Sequence, residues 1–121
     1  MLLKSKSFIT NFNTMREIKS VNEFQQLAAQ DKPVLLDFYA DWCGPCQVLL
    51  PIVEGLATKH EDDVIIAKVN VDTVGELAQQ FGVRSIPSLF FLQGGEVKEK
   101  LVGLQTAAAL EKKIEQYTVT A

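Results

Sequence analysis

A chain of 121 residues that is 47% hydrophobic and 22% charged reads as one ordinary globular domain with a core of its own. Its net charge of −3 argues against nucleic acid as a main partner, which would demand a basic face. Two cysteines are too few for a disulfide-stapled scaffold, and with the single histidine they cannot supply the four ligands of a zinc site, so no metal is expected.

Residues 1–15 are read as a disordered extension, or as the product of a start codon upstream of Met15, and residues 16–121 as the domain. The first fourteen contain Lys4 and Lys6, no acid, and several Ser, Thr and Asn. They lack the apolar stretch of a secretory signal, and a basic, acid-poor transit peptide is the alternative. No apolar run in the chain is long enough to cross a membrane.

Ser20-Val21-Asn22-Glu23 has the pattern of a capping box and opens a helix to about Gln30, with Phe24, Leu27 and Ala28 inward. After the turn Asp31-Lys32-Pro33 comes the near-continuous apolar run Val34 to Ala40, a central strand covered on both faces. Asp37 interrupts it. On the residues alone it is either a solvent-facing strand position or a buried carboxyl with a raised pKa.

Both cysteines follow at once, in Trp42-Cys43-Gly44-Pro45-Cys46. Gln47 to Lys59 then has helical periodicity through Val48, Leu49, Ile52, Val53, Leu56 and Ala57, with a kink expected at Pro51. The sulfurs therefore lie where a strand ends and a helix begins. A helix start near Cys43 offers unpaired N–H groups and the positive end of the dipole, which favour thiolate and make Cys43 the reactive, exposed sulfur. Cys46 is about one turn on and neighbours it, so the pair can close and reopen a small disulfide. Pro45 has no N–H to lose in a first turn and stiffens the link.

Val64 to Val71 is a second buried strand, interrupted by Lys68, a residue that can also extend to solvent. Thr73-Val74-Gly75-Glu76 has the form of another capping box, opening a short helix that Gly82 closes. Leu89 to Leu92 is a third strand, Gln93-Gly94-Gly95 a hairpin turn, and Glu96 to Val102 an edge strand. Thr106 caps a last helix through about Tyr117, with Leu110, Ile114 and Tyr117 on one face. His60 reads as a surface residue near a helix end. The order predicts an α/β fold, a mixed central sheet flanked by helices on both faces, with a parallel, right-handed βαβ part.

The pentapeptide around the cysteines, preceded by Asp37-Phe38-Tyr39-Ala40-Asp41 and followed by Ile86-Pro87 and Val102-Gly103, resembles the thioredoxin family over roughly residues 16–117. The resemblance implies the thioredoxin-like fold and a thiol–disulfide oxidoreductase that reduces protein disulfides. Cys43 would attack, Cys46 would resolve, Asp37 would help deprotonate Cys46, and Lys68 would tune Asp37. Pro87 would be cis. Trp42, Gly44, Pro45, Ile86, Pro87, Gly103 and Leu104 would form the surface that meets substrate. The cofactor would be none beyond the redox-active Cys43–Cys46 disulfide. The partners would be a flavin-dependent thioredoxin reductase and disulfide-containing proteins, with a monomer in the cytoplasm maintaining cell redox homeostasis and no nucleic acid or membrane partner. Gly44-Pro45, with no histidine between the cysteines, favours a reductant over an oxidant or isomerase. Departures from the family pattern are Gln47 after the second cysteine, Tyr39 in place of a frequent tryptophan, and Ser88 after Pro87. A binding module using the same surface, with redox secondary, is the competing class of function.

Overall fold

A computed structural model describes residues 15–118; the expected extension, apart from Met15, lies outside the described residues. Strands β1 (Arg16–Glu17), β2 (Val34–Tyr39), β3 (Ile65–Asn70), β4 (Ser88–Gln93) and β5 (Glu96–Val102) form one sheet in the order β1-β3-β2-β4-β5. β1 and β2 run parallel to β3, while β4 is antiparallel to β2 and to β5. The helices are α1 (Val21–Ala28), α2 (Gly44–Lys59), α3 (Gly75–Gln80) and α4 (Ala107–Thr118).

Every residue of β2 is buried, because the central strand is covered on both sides. Alternation along it divides the core in two. Val34, Leu36 and Phe38 face α1 and α3 and pack with Leu27, Leu77 and Phe90. Leu35 faces α2 and α4 and packs with Leu49, Val53, Ile66, Leu110 and Ile114. Met15 is buried in that second cluster. On the first face Phe81 meets Phe24, Phe38 and Phe90 with ring centroids 4.9–5.4 Å apart, which locks α3 onto the sheet.

The local signals act with some differences. Ser20 accepts the Glu23 N–H, but Glu23 reaches back to the N–H of Lys19 rather than of Ser20, closing the first turn one residue earlier. Thr106 caps α4 through the Ala109 N–H. Gly94 and Gly95 turn the β4–β5 hairpin with φ of 59° and 81°, which an L side chain resists. Thr73 caps nothing: the N-cap of α3 is Val74, which has no side-chain cap to offer, and Asn70 organises the approach instead. Its carbonyl accepts from the Thr73 and Val74 N–H groups and its side chain from that of Asp72. β1 has only two residues, too few for any periodic signal, and sequence reading passes over it. Val48 is 55% exposed, because α2 turns it away from the sheet. The helix runs unbroken through Pro51, whose missing N–H falls on the solvent side.

Candidate active site

β2 ends at Tyr39, and Ala40, Asp41 and Trp42 lead the chain to the first turn of α2. Cys43 is the N-cap, in extended conformation with φ −90° and ψ 113°. Its Sγ lies 3.2 Å from the Cys46 backbone nitrogen and accepts that N–H. The first turn of a helix has donors without intrahelical acceptors, and here a sulfur takes the place of a capping oxygen. The helix start also carries Pro45, whose missing donor is no loss there. Cys43 and Cys46 are joined as a disulfide with Cα atoms 5.2 Å apart.

Both sulfurs are enclosed. Cys43 is 5% exposed and Cys46 3%, so the outer sulfur is not the exposed one that sequence reading expects. The two cysteines pack with Tyr39 and Ala40, and Val71 and Ile86 cover them from across the cleft. Cys43 Sγ sits 3.9 Å from the Ile86 carbonyl oxygen. The Ile86–Pro87 bond is cis, as the resemblance implies, and Pro87 is buried. The Pro87 carbonyl accepts the Gly103 N–H at 2.8 Å, tying the loop after β5 to this segment. Gly103 has φ +93°, a conformation that favours glycine.

The segments next to the cysteines and next to the Ile86–Pro87 pair expose apolar residues. Trp42 is 72% exposed, Leu104 51% and Val102 53%, while Gly44 and Pro45 are exposed and Ile86 half-buried. The Trp42 indole is held by donating Nε1–H to Asp72 at 2.9 Å. A groove of about 190 Å³ runs beside it, lined by Trp42, Val71, Ala78, Val83, Arg84 and Ile86. Sequence reading finds Trp42 and Ile86 but not Val71, Val83, Arg84 or Asp72, which carry no motif and come together only through folding.

Asp37 and Lys68 are register partners on β2 and β3. Asp37 is 1% exposed, and its Oδ1 has no hydrogen-bond partner. Burial pushes its pKa up to about 7, with the Lys68 charge pulling the other way. Lys68 is half-buried, with Nζ 5.5 Å from the centre of the Tyr39 ring. Leu35 and Leu89, on the same face as Asp37, pack against Leu49 and Val53 of α2, one turn and more beyond Cys46. His60 stands apart, at the far end of α2, bonded to Glu111 at 2.8 Å. Among the described residues no group of three or more His, Cys, Asp and Glu is placed to hold a metal, and no helix is long and apolar enough to cross a membrane.

A helix-capping disulfide, the carbonyl of a cis Ile–Pro pair beside it and a carboxyl buried in the adjoining strand define a dithiol–disulfide exchange centre. The family model described as Thioredoxin matches residues 15–116. The thioredoxin of Alicyclobacillus acidocaldarius subsp. acidocaldarius is 46% identical over 91 residues, 75% of this chain and 87% of that protein. The thioredoxin of Chlorobaculum thiosulfatiphilum is 44% identical over 92 residues, 76% of this chain and 85% of that one. The structure of a mutant thioredoxin from Halobacterium salinarum NRC-1 superposes with a TM-score of 0.82 at 42% identity, covering 88% of this chain and 92% of the other. The chain belongs to the thioredoxin family and is a thiol–disulfide oxidoreductase.

Proposed function

We propose that this protein reduces disulfides in other proteins, with Cys43 as the attacking nucleophile, Cys46 as the resolving thiol and Asp37 as the base that serves Cys46. The observation that carries the assignment is the position of Cys43 as N-cap, with its Sγ accepting the Cys46 N–H. In the reduced protein the same donor and the helix dipole favour a negative charge on Cys43. The Cys43 thiolate attacks one sulfur of a substrate disulfide; that S–S bond breaks, a mixed disulfide forms, and the other substrate sulfur leaves as a thiolate and takes a proton. Cys46 then gives up its proton and attacks Cys43 Sγ. The mixed disulfide breaks, the second substrate sulfur leaves, and two electrons have moved to the substrate. The Cys43–Cys46 disulfide is the product of that cycle.

Cys46 needs a proton acceptor because it is enclosed, and an enclosed thiol resists ionisation. A carboxyl with a pKa of about 7 exchanges protons readily near neutral pH, which suits Asp37 to that part. Lys68 adjusts it through its charge. Trp42, Gly44, Pro45, Ile86, Pro87, Gly103 and Leu104 form the docking surface. Its apolar, exposed side chains fit an unfolded or extended substrate segment, and backbone groups of the Ile86 segment are at hand to pair with it. A flavin-dependent thioredoxin reductase returns the two electrons. The protein works as a monomer in the cytoplasm, where thiols are kept reduced, and so carries electrons for cell redox homeostasis.

Reduction of insulin by dithiothreitol, followed by turbidity, tests the reading together with NADPH oxidation coupled to a thioredoxin reductase. The wild type should accelerate the first and support the second. Cys43→Ser should abolish both, and Cys46→Ser should accumulate a mixed disulfide visible by mass. A Cys43→Ser variant that still catalyses reduction would overturn the assignment.

A further inference from the structure

The face of the sheet that packs on α2 and α4 carries a row of charges that thiol exchange by itself does not require. Glu17 of β1, Lys68 of β3 and Asp37 of β2 are register partners across three adjacent strands. Their side chains therefore leave the same face. Tyr39, two residues beyond Asp37, shares that face and spans the row. Its hydroxyl donates to Glu17 Oε2 at 2.8 Å, reaching past β3 to do so. Its ring has the Lys68 ammonium 5.5 Å from its centroid, within the range of a cation–π contact. Tyr39 is 7% exposed, so the ring is a fixed surface and not a mobile one.

We propose that Tyr39 and Glu17 are positioning residues for the exchange reaction: together they hold the Lys68 ammonium in place and thereby set the charge that Asp37 meets when Cys46 gives up its proton. The link to Cys46 rests on the reading of Asp37 as its base; the positioning of Lys68 does not. Lysine is a compact charge on a flexible four-carbon stem, and nothing intrinsic keeps its ammonium beside a buried carboxyl when solvent is within reach. The Tyr39 ring supplies a shelf, and the hydroxyl bond to Glu17 fixes the tilt of that shelf. Glu17 acts through that bond: it is the acceptor that holds the Tyr39 hydroxyl. The two residues thus act on Asp37 in one sense: by keeping Lys68 near, the shelf and the bond that fixes it both favour ionisation of the carboxyl.

The groups facing Asp37 and its neighbours are few. β1 contributes Glu17, β3 contributes Lys68 and Asn70, β2 itself contributes Tyr39, and α2 contributes Cys46, which packs with Tyr39. β4 offers the apolar Leu89 opposite Asp37. Asp41, beyond the end of β2, acts on the Tyr39 hydroxyl.

The test is an NMR titration of the Asp37 carboxyl carbon in the full-length oxidised protein, where no thiol titrates. Tyr39→Leu should raise the midpoint by about half a pH unit or more, and Glu17→Ala, which removes the acceptor of the Tyr39 hydroxyl, should raise it in the same sense. In a Lys68→Met background the Tyr39→Leu effect should vanish, since it acts through the lysine. An unchanged midpoint in the single variants, or a Tyr39→Leu effect of equal size without Lys68, overturns the proposal. Glu17 is exposed, so Glu17→Ala decides the matter even where Tyr39→Leu does not fold. Stopped-flow decay of the mixed disulfide against pH, on the same variants, separates the two readings. A carboxyl midpoint that moves while the resolving rate does not supports the positioning and removes Asp37 as the base.

Discussion

Consider Asp37→Asn in the oxidised protein. The native carboxyl is 1% exposed with an unpartnered Oδ1, and its pKa is pushed from 3.8 up to about 7. One pH unit corresponds to about 1.4 kcal/mol, so a separation of about three units makes the ionised folded state cost about 4 kcal/mol. Below pH 3.8 the group is protonated both folded and unfolded, and no penalty exists. Between 3.8 and about 7 the unfolded chain ionises while the folded one does not, unfolding releases a proton, and stability falls as pH rises. Above about 7 both states are ionised and the loss levels off. Asparagine has no such slope. Its amide donors add a fixed cost of about 1–3 kcal/mol where they find no partner, but that cost does not change with pH. The measurement is therefore the gap between wild type and variant in urea midpoint at a series of pH values. For a slope near 2 kcal/mol per M, the gap should shift by about 2 M in favour of the variant from pH 4 to pH 8. A gap that stays constant over that range would refute the claim that Asp37 is held neutral by burial.

Lys68→Met should raise the Asp37 titration midpoint, because the lysine charge is what pulls it down; the carboxyl carbon shift against pH reads it directly. Ser20→Ala should cost about 1 kcal/mol by removing the acceptor for the Glu23 N–H, seen as a lower thermal midpoint. Val48→Ala should change stability by no more than about 0.5 kcal/mol, whereas Leu49→Ala should cost about 2–5 kcal/mol, since the first is exposed and the second wholly buried; urea denaturation compares them. Gly103→Ala should cost about 1–3 kcal/mol because alanine resists φ +93°, again read from urea curves.

The chemistry of the site was largely legible in the residues. Cys43 and Cys46 sit within one helical turn, and a helix start is a local event governed by caps, a proline and unpaired donors. The burial of Asp37 was less so, since an acid in an apolar run is compatible with either face until something covers it. Val48 shows the limit of periodicity, because it lies on the margin of the apolar stripe and only the docking of α2 turns it outward. Thr73 shows another: the tetrapeptide Thr73-Val74-Gly75-Glu76 has the right letters, yet Asn70, buried at the end of β3, takes over the backbone donors ahead of α3.

By itself the sequence determined the order of the elements after β1, the reactive pair and the turn that closes the hairpin, because each depends on residues within a few positions of one another. Only the tertiary structure decided which groups meet from separate strands. Glu17, Lys68 and Asp37 became a row, Tyr39 reached past Lys68 to Glu17, Asp72 steadied Trp42 and Ile86 came to Cys43, through contacts between residues far apart in the chain. Strand register and the burial of both sheet faces set those meetings, and no spacing along the chain encodes them.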